Sequence, residues 1–123
     1  MTKKVLATLL CAFLAAVPAS AQETRAQLAG TVTDPTGAAI PNASVTVINV
    51  DTNTAVRLRT NSAGYYEANL LLPGNYAIEV EAAGFKRLTR RGVTLGVGAR
   101  VTVDIPLELG SQTESVQVTA EAP

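Results

Sequence analysis

Asn75-Tyr76-Ala77-Ile78-Glu79-Val80-Glu81-Ala82-Ala83 is the stretch that decides the fold class. Tyr76, Ile78, Val80 and Ala82 fall on one face and Ala77, Glu79 and Glu81 on the other. A period of two with one wet face is a half-buried β-strand. Outward from it the same period returns at Arg100–Leu107, where Val101, Val103, Ile105 and Leu107 alternate with Arg100, Thr102, Asp104 and Pro106. Less regular versions run over Gln27–Thr33, Ala43–Val50, Ala55–Thr60, Tyr65–Leu70 and Lys86–Leu95. Turn residues separate these runs. Asp34-Pro35-Thr36-Gly37, Pro41-Asn42, Asp51-Thr52-Asn53, Asn61-Ser62-Ala63-Gly64 and Pro73-Gly74-Asn75 supply fixed φ, positive φ or side-chain acceptors. About seven short strands at roughly 8–12-residue spacing, with no helical period after residue 21, predict an all-β sandwich or small barrel.

The first 21 residues have a different character. Lys3 and Lys4 precede an uncharged, mostly apolar run from Val5 to Val17; Pro18 ends it, and Ala19-Ser20-Ala21 follows. These are the three parts of a cleavable secretory signal, with cleavage between Ala21 and Gln22 flanked by the small residue Ala19. The run is too short for a membrane span, which needs roughly 20 apolar residues. No transmembrane segment is expected in the mature chain, residues 22–123. Cys11 lies within the apolar run behind Thr8-Leu9-Leu10, without the small residue that a lipoprotein signal places before its cysteine.

The mature chain carries eight basic and ten acidic residues, a near balance that argues against nucleic acid or an anionic membrane surface as partner. It has no cysteine, so packing and sheet hydrogen bonds hold it without a disulfide. Residues 22–26 read as a polar spacer and 27–109 as the sandwich. The segment 110–123, rich in Ser, Thr, Gln and Glu, reads as a linker-like tail in which Val116 and Val118 could make an edge strand.

The ordered turns and strands carry a family pattern. Gly30-x-Val32-x-Asp34-x-x-Gly37-x-x-Ile40-x-x-Ala43-x-Val45-x-Val47 opens it, Thr60-x-x-x-Gly64-x-Tyr66 continues it, and Leu71-x-x-Gly74-x-Tyr76-x-Ile78-x-Val80 with Gly84-Phe85 completes it. This series resembles the carboxypeptidase regulatory-like domain from about Leu28 to Leu109. The resemblance implies a seven-stranded, Greek-key sandwich of the transthyretin (prealbumin) type. Glu114-Ser-Val116-Gln-Val118-Thr-Ala120 resembles the junction behind such a domain in TonB-dependent, Oar-like outer-membrane receptors, where it sits at the periplasmic amino terminus. That likeness implies a fragment or stand-alone copy of a receptor's first module, located in the periplasm, at the periplasmic face of the outer membrane or outside the cell.

Enzyme chemistry is not expected. With no histidine in the chain, a zinc peptidase site and a Ser–His or Cys–His nucleophile are excluded. Lys86, the only mature lysine, is also the only base left for Ser44, Ser62, Ser111 or Ser115. The first and last strands lack the lysine and asparagine that an adhesin-type isopeptide bond uses. No catalytic residue, metal ligand or cofactor is assigned: Asp34, Asp51 and Asp104 do not form a calcium loop. A protein partner in the cell envelope, met by β-addition with Val116–Val118 as the candidate strand, is the first expectation. Carbohydrate is the rival partner, with Tyr65 as the candidate platform because alternation turns it away from Tyr66. Lys86-Arg87 and Arg90-Arg91 read as a solvated basic cluster. Asn42-Ala43-Ser44 matches a glycosylation sequon.

Overall fold

The structure, a computed structural model, describes residues 24–119. The signal peptide with its cleavage residues Ala19, Ala21 and Gln22 lies outside the described residues. The described residues form nine strands: β1 (Ala26–Thr33), β2 (Ser44–Asn49), β3 (Ala55–Arg59), β4 (Tyr65–Leu71), β5 (Gly74–Glu81), β6 (Arg87–Leu95), β7 (Arg100–Thr102), β8 (Ile105–Pro106) and β9 (Ser115–Thr119). One sheet has the order β4-β1-β7, with β8 also on β1, and the other the order β3-β2-β5-β6-β9. The result is the all-β sandwich of the sequence reading.

Alternation builds the core. Leu28 and Val32 of β1 face Val45 and Val47 of β2 and Ile78 and Val80 of β5, all with no solvent exposure. Each such aliphatic contributes about 1.5–3 kcal/mol by leaving water. At the Asp34 turn, one carboxylate oxygen accepts from the Thr36 hydroxyl at 2.6 Å and from the Thr36 and Ala38 amides at 2.9 and 3.0 Å. These bonds, the Thr36 hydroxyl first, hold the Asp34 carboxyl below its ordinary range.

Two features depart from the expected pattern. The run Arg100–Leu107 keeps its inward Val103, Ile105 and Leu107, yet it splits into β7 and β8. At the break, the Val103 carbonyl lies where a Cβ on Gly30 would be, 1.8 Å away, so only glycine fits there. The buried Tyr66 hydroxyl donates to that carbonyl at 2.6 Å, so it ends in the core. Asp104 Oδ1 accepts from the Thr31 amide at 3.0 Å, replacing a backbone rung. The second departure concerns the partner of the tail: the possible edge strand forms as β9 over Ser115–Thr119, but it pairs in parallel with β6 of the same chain, from Arg87↔Ser115 to Arg91↔Thr119. Val116 and Val118 are therefore already partnered within the chain.

Candidate interaction surface

The sandwich has two lateral seams where the edges of its sheets come together. One is closed. The chain crosses it from β8 to β9, with Lys86 N–H donating to Glu108 O at 2.8 Å and Phe85 bridged to Leu109. The Lys86 ammonium lies 3.7 Å from Glu108 and 3.4 Å from Glu114. Its stem occupies the space beside Gly110, where an added Cβ would meet Lys86 Cγ at 2.6 Å.

The other seam, between β3 and β4, is open. β3 is exposed at four of its five residues and, among the described residues, has a strand on one side only. Thr60 N–H donates to Ala43 O and Asn49 N–H to Thr54 O. With the register Val45↔Leu58 and Val47↔Val56, this phase turns the peptide groups of Val56 and Leu58 toward β2. The N–H and C=O of Ala55, Arg57 and Arg59 consequently face outward along the free edge.

Beside that edge is a cleft of about 260 Å³, whose walls include Val47, Val56, Leu70, Leu71, Leu72 and Tyr76. Leu70 and Leu72 are 61% and 58% exposed, in contrast to the alternating core around them. Leu70 adopts φ 56°, a region that L-residues with bulky side chains avoid. The cause is a bulge: Ala26 pairs with Leu71 and Leu28 with Ala68, so Asn69 and Leu70 together oppose Gln27. The bulge turns Leu70 out to solvent and keeps Leu71 inside. Tyr76 closes the floor, its hydroxyl donating to Leu72 O at 2.6 Å.

The residues singled out in the sequence are dispersed. Tyr65 is half-buried on the outer face of the β4-β1-β7 sheet. A polar hollow of about 430 Å³ lies on the outer face of the other sheet, lined by Ser44, Thr46, Asn53, Arg57, Glu79 and Glu81 among others. Ring and hollow are therefore on opposite sides of the molecule and form no common platform.

The basic cluster is solvated in part: Arg87 and Arg91 are exposed, while Lys86 and Arg90 are half-buried. Lys86 binds the tail, Arg87 pairs with Glu81 at 2.7 Å, and Arg90 shares the inner face with Leu88, its Nε buried without a hydrogen-bond partner among the described residues. Burial first, and then the Asp104 carboxylate, push the Tyr66 phenol far above its ordinary range, while Arg90 acts against them. Among the described residues no group of three or more His, Cys, Asp or Glu side chains could hold a metal ion. Sequence reasoning missed Leu70 and Leu72 because an exposed leucine at a strand end looks the same in sequence as a core leucine. The Leu70-Leu71-Leu72 run, which breaks alternation, was the available signal.

The carboxypeptidase regulatory-like domain model matches residues 27–108. The chain belongs to that family. The carboxypeptidase regulatory-like sandwich also superposes on solved structures of diverse description. Catechol 1,2-dioxygenase from Acinetobacter sp. ADP1 shares 13% identity at TM-score 0.59, covering 85% of this chain and 60% of the enzyme. The Bacillus anthracis TIE protein shares 18% at TM-score 0.61, over 70% of this chain and 17% of that one. A carbohydrate-binding protein, so described as putative, from Bacteroides uniformis shares 16% at TM-score 0.55, over 68% and 41%. At these identities the likeness is one of fold alone. This chain spans less than two thirds of each of those proteins. No curated relative matches the sequence. The matched family is a regulatory-like, non-catalytic domain, and no helix among the described residues is long and apolar enough to cross a membrane.

Proposed function

We propose that this regulatory-like domain is an exported, non-catalytic interaction module, carried at the amino-terminal, periplasmic side of a TonB-dependent outer-membrane receptor. The open seam is the observation that carries the interaction reading: an unpaired strand edge beside an exposed apolar cleft is a surface built to be covered. The signal-like amino terminus and the receptor-like tail sequence support export and the receptor setting. Expression in a Gram-negative host followed by fractionation and intact-mass measurement tests it. The expected product begins at Gln22 and is recovered from the periplasm or the outer membrane. A full-length product retained in the cytoplasm would overturn export. In-frame plug and barrel codons downstream would support the receptor setting, and an unrelated gene would remove it.

Carbohydrate binding is the second reading, favoured by the polar hollow and by Arg57, whose side chain has no hydrogen-bond or ion-pair partner among the described residues. Retardation of the protein in a polysaccharide affinity gel, lost in Arg57→Ala but kept in Tyr65→Ala, would place the sugar in the hollow.

A further inference from the structure

Four sheet edges could in principle accept a partner, and three are blunted. The β7–β8 edge is short and broken at Val103-Asp104. On β9 only Val116 is part-buried, and the other four residues are exposed. β4 carries the bulge at Asn69-Leu70, which interrupts its ladder. β3 remains: five residues without a bulge, its outward peptide groups free.

The chemistry of that edge selects its occupant. Side chains on the inner face of an added strand would enter the seam over Val56, Leu58, Leu70 and Leu72, an aliphatic environment. On the outer face they would stand opposite Ala55, Arg57 and Arg59. The Arg57 guanidinium has no hydrogen-bond or ion-pair partner among the described residues, and Arg59 has only the Asn42 carbonyl at 3.4 Å. A second copy of β3 paired antiparallel would set these arginines against each other, which is unfavourable. Opposite charges directly across a ladder are favourable by a similar amount.

We infer that the β3 edge binds an extended partner segment in which aliphatic residues alternate with acidic ones, the aliphatic set filling the β3–β4 seam and the carboxylates pairing with Arg57 and Arg59. The inference rests on the interaction reading above but is independent of export and of the receptor setting. Leu70 fits it: a solvent-facing leucine held at φ 56° becomes covered when the segment docks.

The test is a titration of the isotope-labelled protein, followed by NMR, with two blocked peptides of about ten residues, valine alternating with glutamate and valine alternating with lysine. The expected result is a set of amide shifts at Ala55, Arg57, Arg59, Leu70 and Leu72, with the glutamate peptide binding roughly tenfold tighter in low salt. Ala55→Pro removes one outward N–H without touching the β2 ladder and abolishes the shifts. The double variant Arg57→Glu with Arg59→Glu keeps the backbone edge and reverses the preference toward the lysine peptide. Equal binding of the two peptides, shifts centred on β9 or β4, no binding of either, or self-association through β3 without peptide would each overturn the inference. Failure here with a Gln22 amino terminus in the periplasm would leave the export reading standing.

Discussion

The two seams of this sandwich are made from similar strands and reach opposite states. At the closed seam the breaks in pairing along β7–β8 and at the crossover to β9 are compensated. Where β7 stops, Tyr66 caps the Val103 carbonyl, and Asp104 takes the Thr31 amide. Where the chain crosses between sheets, Lys86 ties Glu108 and Glu114 together. At the open seam the departures are left uncovered. Leu70 stays at positive φ and in solvent, Leu72 beside it is exposed, and the outward groups of β3 have no strand to meet. Strain and apolar exposure lie together at one edge, with compensation at the other, and it is at the uncompensated edge that we propose a partner docks.

The largest effect that can separate the seams is at Gly30. Gly30→Ala forces a Cβ against the Val103 carbonyl, and a loss of about 3 kcal/mol or more is expected in urea unfolding. A near-neutral result would show that β7–β8 can move away, and the closed seam would not be rigid. Tyr66→Phe strands a buried carbonyl and should cost about 1–3 kcal/mol. It also has a pH signature. The phenol's folded pKa is raised above the ordinary 10.0, so the neutral ring stabilises fully below about pH 10, and that contribution is lost as the pH rises beyond it. The melting temperature of the parent should therefore fall between pH 9 and about 11.5 more steeply than that of Tyr66→Phe.

Opposite in sign is Leu70→Gly. It relieves an unfavourable backbone conformation and removes little packing, so a gain of roughly 0.5–1 kcal/mol is expected, offset in part by glycine's entropy when unfolded. Destabilisation by that variant would mean the exposed leucine is already packed, and the contrast between the seams would lose its main support. Smallest is Lys86→Ala, under about 1 kcal/mol because the pair is partly exposed. Its clearest readout is amide exchange: Val116 and Val118 should lose protection while the β2 and β5 amides keep theirs.

The fold was largely legible because alternation in β5, β2 and Arg100–Leu107 is regular and turn residues such as Asp51-Thr52-Asn53 and Pro73-Gly74-Asn75 separate several of the runs. The surface was less so. A bulge adds one residue and reverses which side chains face inward beyond it. The first, at Asn69-Leu70, put Leu70 outside. The second is on β6, where Tyr76 pairs with Val93 and Ile78 with Arg90, leaving Arg91 and Gly92 opposite Ala77. It put Arg90 inside with Leu88, although the cluster Lys86-Arg87-x-x-Arg90-Arg91 has the composition of a wet face. Tyr65 was read correctly as opposite to Tyr66, but its partial burial depends on neighbours that a single strand cannot reveal. The free phase of β3 depends on pairing register, which no residue of β3 announces by itself.

The parallel pairing of β9 with β6 also has a mechanical meaning. The strand runs from Ser115 beside Arg87 to Thr119 beside Arg91, toward the end of the sandwich at which Thr24 enters. Tension applied at Thr119 and directed onward along the strand loads the rungs together, in shear. Tension from the same residue directed backwards along β6 peels them one at a time. Drawn forward, the outermost strand is a tether; drawn back, it is a release tab.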